Sequence, residues 1–106
     1  MPKGLHDMNE PLRRVVTIAN PQGLHIRPAA AFAELAQRFE AKVTVSREGQ
    51  TVDGKFWPDL LLLAAEQGTQ LLLEVQGPDA ADAVDPLADQ LAAVLEETSP
   101  AVPPQG

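Results

Sequence analysis

The apolar positions fall into short stretches whose period changes along the chain. Residues 14–19 (RVVTIA) are rich in β-branched side chains and read as a strand, which the cluster Asn20, Pro21, Gln22 and Gly23 ends in a loop. From Ile26 to Phe39 the period lengthens. Ala29, Phe32, Ala33, Ala36 and Phe39 recur at three- and four-residue steps, the one-sided pattern of a helix. Pro28 falls in its first turn, where a missing N–H removes no intrahelical bond. Residues 42–46 (KVTVS) alternate with period two, Glu48 and Gly49 turn the chain, and Thr51 and Val52 begin a return strand that stops at Asp53 and Gly54. The leucine-rich stretch 58–66 predicts a two-turn helix with Gly68 as its C-cap, and residues 69–76 predict a strand. Over 79–97, Val84, Leu87, Ala88, Leu91 and Leu95 form one stripe that continues past Pro86. A proline inside a helix costs roughly 3 kcal/mol. Two arrangements are therefore open: a helix kinked at Pro86, or a first turn followed by a second helix that starts at Pro86 with Asp85 as its cap.

The order is β-α-β-β-α-β-α, and strand–helix–strand units of this length favour an α+β sandwich in which all helices cover one sheet face and the other meets water. Residues 1–12 show no periodicity, and the last eight residues (SPAVPPQG) hold three prolines. Both ends are expected to be mobile segments, 1–12 and 98–106, flanking a domain over 13–97. A chain of 106 residues, 44% apolar and 22% charged, fits a single globular domain of this size.

With no cysteine, disulfides, thiolate metal sites and cysteine nucleophiles are excluded, in keeping with a cytoplasmic protein. No apolar run approaches the ~20 residues that cross a bilayer. The first residues contain no apolar core of a secretory signal. The net charge of −7 speaks against nucleic-acid or anionic-membrane partners. The acid is concentrated at one end, since Asp79, Asp82, Asp85, Asp89, Glu96 and Glu97 follow residue 78 with no basic residue among them. An anionic group is better received in the N-terminal third, near Arg13, Arg14, Arg27 and Arg38.

The segment GLHIRPAA, residues 23–30, carries the chemistry. His25 stands where the loop meets the predicted helix, beside the first backbone N–H groups and the positive end of the helix dipole. That environment disfavours imidazolium and leaves a nucleophilic ring. A phosphoryl group on the ring would meet free N–H donors, and the Arg27 guanidinium would pair with its oxygens through charge-assisted bonds. His6 lies among residues without metal-ligand spacing, and two histidines without cysteine make no zinc or copper site. Neither a phosphate-binding GxxxxGK[ST] loop nor a GxSxG elbow occurs.

GLHIRPAA resembles the phosphohistidine signature of the HPr family, the histidine phosphocarriers of the bacterial phosphoenolpyruvate-dependent phosphotransferase system. The usual form of that signature is GLHARPA, with an asparagine shortly before it, as Asn20 is here. The likeness extends over about residues 13–97 and includes Val52, Gly54 and Lys55 of the V-x-G-K stretch. It implies an open-faced β-sandwich with a four-stranded antiparallel sheet and three helices on one face. It also implies a cytoplasmic, monomeric, stoichiometric carrier rather than a turnover enzyme, without cofactor or metal. Enzyme I, charged from phosphoenolpyruvate, would pass phosphoryl to Nδ1 of His25, and the carrier would hand it to an enzyme IIA-type protein. By the same resemblance His25 is the acceptor and donor, Arg27 stabilises the phosphoryl group, and Asn20, Gly23, Ile26, Phe56 and Trp57 belong to the binding region.

Three positions depart from the family pattern. Phe56 stands where kinase-regulated members carry a serine, so seryl regulation is not expected. Ile26 replaces a small residue beside the histidine and either crowds the ring or enlarges the apolar docking rim. Phe56 and Trp57 are adjacent aromatics at a helix start, either both exposed as a partner anchor or one of them buried against the sheet. The alternative function is therefore a regulatory protein-binding module that docks through Phe56 and Trp57, with phosphotransfer absent or used as a switch.

Overall fold

Period-two burial builds the sheet and three- to four-residue burial builds the helices, in the order the hydrophobic pattern predicts. The structure, a computed structural model, describes residues 10–93. Its elements are β1 (Leu12–Thr17), α1 (Ile26–Ala36), β2 (Lys42–Arg47), β3 (Gln50–Asp53), α2 (Trp57–Leu61), β4 (Gln70–Gln76) and α3 (Ala80–Ala92). The four strands form one sheet in the order β1-β4-β2-β3, and every pairing is antiparallel. On one face Val16, Val43, Val45, Val52, Leu71, Leu73 and Val75 are buried. They meet Ala29, Phe32, Ala33 and Ala36 of α1, Leu60 of α2, and Ala80, Ala83, Val84, Leu87 and Leu91 of α3 in a single core. Each large side chain sealed there contributes about 1.5–3 kcal/mol. The other face has no helix over it. Arg13, Val15 and Thr17 of β1 are exposed on it, and the Arg13–Glu74 ion pair crosses from β1 to β4 at 2.7 Å.

Register and turn chemistry fix the ends of the strands. Glu48 (φ +49°) and Gly49 (φ +90°) both take left-handed backbone, so the β2–β3 hairpin closes through a two-residue turn matched to the strand twist. β1 lies two residues earlier than the predicted 14–19, because its last ladder pair is Thr17 with Gln70. Beyond it Ile18 leaves the ladder, donating to the Thr69 carbonyl at 2.9 Å and accepting from Gly68 N–H at 2.8 Å.

The helices differ from expectation at their ends. α1 stops at Ala36, short of Phe39. Arg38 and Phe39 donate to the carbonyls of Leu35 and Ala36, tighter three-residue turns, and the Asp79 carboxylate accepts the N–H groups of Glu40 and Ala41 at 2.8 Å each. These two bonds, the Glu40 one foremost, hold the Asp79 carboxyl below the usual carboxylate range, with Lys55 adding a smaller pull. α2 has five residues rather than two full turns, and Gly68 is not its cap. Ala64, not a glycine, takes the left-handed position after the helix (φ +50°), and Gly68 sits in the turn before β4. α3 is one helix through Pro86, begun at Asp79 rather than Asp85. Asp82 and Pro86 are both exposed, so the turn that lacks the proline N–H faces water. Leu95, the tail 98–106 and all but the last three residues of the 1–12 segment lie outside the described residues.

Candidate functional site

The turn between β1 and α1 is built around Asn20 and Gly23. The Asn20 carbonyl accepts the Gly23 N–H at 2.8 Å, and the Asn20 side-chain amide donates to the Gly23 carbonyl at 2.9 Å, so one residue grips the other from both ends. Asn20 is only 3% exposed. Gly23 has φ +76°, and a Cβ there would lie 2.5 Å from the Ala65 carbonyl oxygen. Both residues, expected in the binding region, are buried, and their mutual bonds shape the loop. Leu24 then donates to the Ala65 carbonyl at 2.9 Å and sinks into the core, which delivers His25 to the first position before α1.

His25 has extended backbone (φ −109°, ψ −164°) and makes no side-chain capping bond, while its carbonyl starts the helix by accepting the Ala29 N–H at 2.9 Å. The N–H groups of Ile26 and Arg27 are left without an intrahelical acceptor, and Pro28 has no N–H to offer. No acidic residue lies in this first turn to offset the positive end of the dipole. The imidazole is half-buried, with Nε2 sheltered from solvent. Arg27 is exposed and takes part in neither ion pair among the described residues, which are Arg13–Glu74 and Arg14–Asp85. The arrangement combines a ring nitrogen, backbone N–H donors and an exposed guanidinium, the groups that receive a tetrahedral dianion.

Around this point the surface is apolar. Ile26 is 56% exposed, Phe56 53% and Trp57 40%, so both aromatics are outside the core. Ile26, Arg27, Ala30, Glu34 and Trp57 line one open groove of about 540 Å³. Ile26 is exposed and forms part of this apolar rim. The route from β3 to α2 depends on Gly54, whose place a Cβ would bring within 2.7 Å of Val43 Cγ1 and 3.1 Å of Phe32 Cε1. With glycine the chain passes over Phe32 and presents Phe56 and Trp57 beside α1.

Sequence reasoning did not point to the segment 63–66 as the floor of the histidine loop. Gly23 packs on Ala65 and Glu66, Leu24 bonds to Ala65, and the Gln67 side chain donates to the Ala19 carbonyl at 3.2 Å. From the other side, Arg47 Nη1 donates to the carbonyls of Leu63 (2.9 Å) and Ala64 (2.8 Å). The described residues contain no group of three or more metal-ligating side chains, and no helix long and apolar enough to cross a membrane.

Comparison with known proteins agrees with this geometry. A family model described as the PTS HPr component phosphorylation site matches residues 12–93. The chain is 42% identical over 76 residues to the phosphocarrier protein HPr of Cupriavidus necator, covering 72% of this chain and 85% of that one. It is 40% identical over 85 residues to the HPr of Pseudomonas putida, covering 79% of this chain and 94% of that one. The crystal structure of an HPr from Bacillus anthracis superposes with a TM-score of 0.74 at 31% identity, over 78% of this chain and 99% of that one. With the same sheet, the same helices and the signature segment at the start of α1, the chain belongs to the HPr family of phosphocarrier proteins of the phosphotransferase system, carriers rather than enzymes.

Proposed function

We propose that the chain relays phosphoryl groups in the cytoplasm from enzyme I, charged by phosphoenolpyruvate, to an enzyme IIA-type protein through a phosphohistidine at His25. The observation that carries this reading is the joint placement of the His25 ring and the exposed Arg27 guanidinium at a helix start with no acid in its first turn. Because Nε2 is sheltered, Nδ1 is the ring nitrogen for the chemistry. The Nδ1 lone pair attacks the phosphorus of the donor's phosphohistidine. The donor N–P bond breaks, its electron pair returns to the donor ring, and a new N–P bond forms on His25. Transfer to the acceptor repeats the exchange in the other direction, so no water or cofactor enters. The N–H groups of Ile26 and Arg27 and the Arg27 guanidinium hold the phosphoryl oxygens between the two events.

The groove of Ile26, Ala30 and Trp57, with Phe56 beside Trp57 in sequence, gives both partners an apolar surface to dock on. The test is labelling by enzyme I and radioactive phosphoenolpyruvate. The chain should take up an acid-labile, base-stable label that His25→Ala abolishes, and unchanged labelling of the variant would refute the assignment. The exposure of Phe56 and Trp57 also favours a second reading, a regulatory module that captures a protein partner through these aromatics. Binding that depends on Trp57 and persists in His25→Ala without label would support it.

A further inference from the structure

Arg47 ends β2 on the far side of the segment that floors the histidine loop, and it forms no ion pair among the described residues. Its Nη1 instead bridges two carbonyls sixteen and seventeen residues away, those of Leu63 and Ala64. Between these two peptide groups Ala64 is held in the left-handed region at φ +50°. Alanine leaves that region unless its surroundings hold it there. The next carbonyl, that of Ala65, accepts the Leu24 N–H at 2.9 Å and lies against Gly23. His25 is one residue further. A rotation at Ala64 would therefore turn the Ala65 carbonyl away from Leu24 and release the loop that carries the imidazole.

From this chain of contacts we infer that Arg47 is a positioning residue for His25, acting by clamping Ala64 in its left-handed conformation. The inference rests on the reading of His25 as phosphoryl acceptor, and it makes a prediction in the unphosphorylated protein as well. Arg47→Ala should speed hydrogen exchange of the Leu24 amide by about tenfold relative to core amides such as Val45. It should also shift the His25 ring signals in nitrogen NMR, and lower kcat for phosphorylation by charged enzyme I on the order of tenfold, with KM for the carrier unchanged. Adding Ala64→Gly to Arg47→Ala should restore both signals and rate, because glycine adopts the left-handed angle without the penalty that alanine bears there. Arg47→Lys, which keeps a cationic donor, should keep most of the activity and serves if Arg47→Ala folds poorly.

Wild-type Leu24 exchange and His25 signals in Arg47→Ala would overturn the inference. So would altered signals with an unchanged rate, or a defect that Ala64→Gly does not repair. A wild-type chain that takes no label refutes the phosphoryl reading instead, and the exchange and ring signals still decide whether Arg47 fixes the loop.

Discussion

Gly23→Ala tests whether the histidine loop rests on Ala65 as closely as described. Two costs add at this position. An L-residue in the left-handed region loses roughly 1–2 kcal/mol. The new Cβ would also sit 2.5 Å from the Ala65 carbonyl oxygen and 3.1 Å from Glu66 Cα, both backbone atoms that cannot swing aside as a side chain does. Overpacking of that kind costs about 1–3 kcal/mol. The stiffer unfolded chain returns about 0.4–1 kcal/mol, which leaves a net loss centred on about 2–3 kcal/mol. Gly49→Ala is the matched reference, since Gly49 has φ +90° with nothing within 4 Å of the added Cβ, so only the conformational term of about 1 kcal/mol applies. In urea unfolding at neutral pH both variants should keep the wild-type m-value. With m near 1 kcal/mol/M, the Gly23→Ala midpoint should lie about 1–2 M below that of Gly49→Ala. Equal midpoints would show that the loop does not press on Ala65, and would remove the support on which the placement of His25 depends.

Other substitutions separate structure from chemistry. Arg27→Ala should slow phosphoryl transfer about 10- to 100-fold, the worth of a hydrogen bond to a charged group, and leave Tm within about 3 °C; a sharp fall in Tm would mark Arg27 as structural instead. Trp57→Ala should raise KM for the protein partners with kcat preserved, and an unchanged KM would remove Trp57 from the docking surface. For Asp79 the folded carboxyl titrates below its usual 3.8, so the folded chain binds this proton less readily than the unfolded one. Its stabilisation is complete above about pH 5 and lost as pH falls through about 4 towards the folded value. The stability gap between wild type and Asp79→Ala should therefore be wide near pH 7 and narrower near pH 3 in denaturant titrations. A gap independent of pH would contradict the bonds to Glu40 and Ala41.

What could be read from the sequence was local. Val43 and Val45 alternate with polar neighbours, and the alanine and phenylalanine spacing of α1 repeats every three to four residues, so element type followed from side-chain period alone. The signature segment likewise placed His25 at a helix start, because glycine, histidine and proline there each carry a backbone meaning. The errors came from contacts that period cannot report. Phe39 keeps the phase of α1, yet the chain turns before it, where Asp79 takes the Glu40 and Ala41 amides from thirty-nine and thirty-eight residues away. Gly68 looked like a cap because glycine favours left-handed backbone, but Arg47 bonds the carbonyls at Ala64, and Ala64 takes the position. The packing of Ala65 against Gly23, which shapes the histidine loop, was likewise beyond the reach of side-chain period.

The uncovered side of the sheet has a practical use. The sequence lacks any thiol, and Val15, 67% exposed, points away from the layer of helices. A single Val15→Cys change would give one handle for a fluorophore or a solid support. Anchored through that rear surface, the carrier would keep its imidazole and aromatic rim turned outward, ready for timing individual partner encounters.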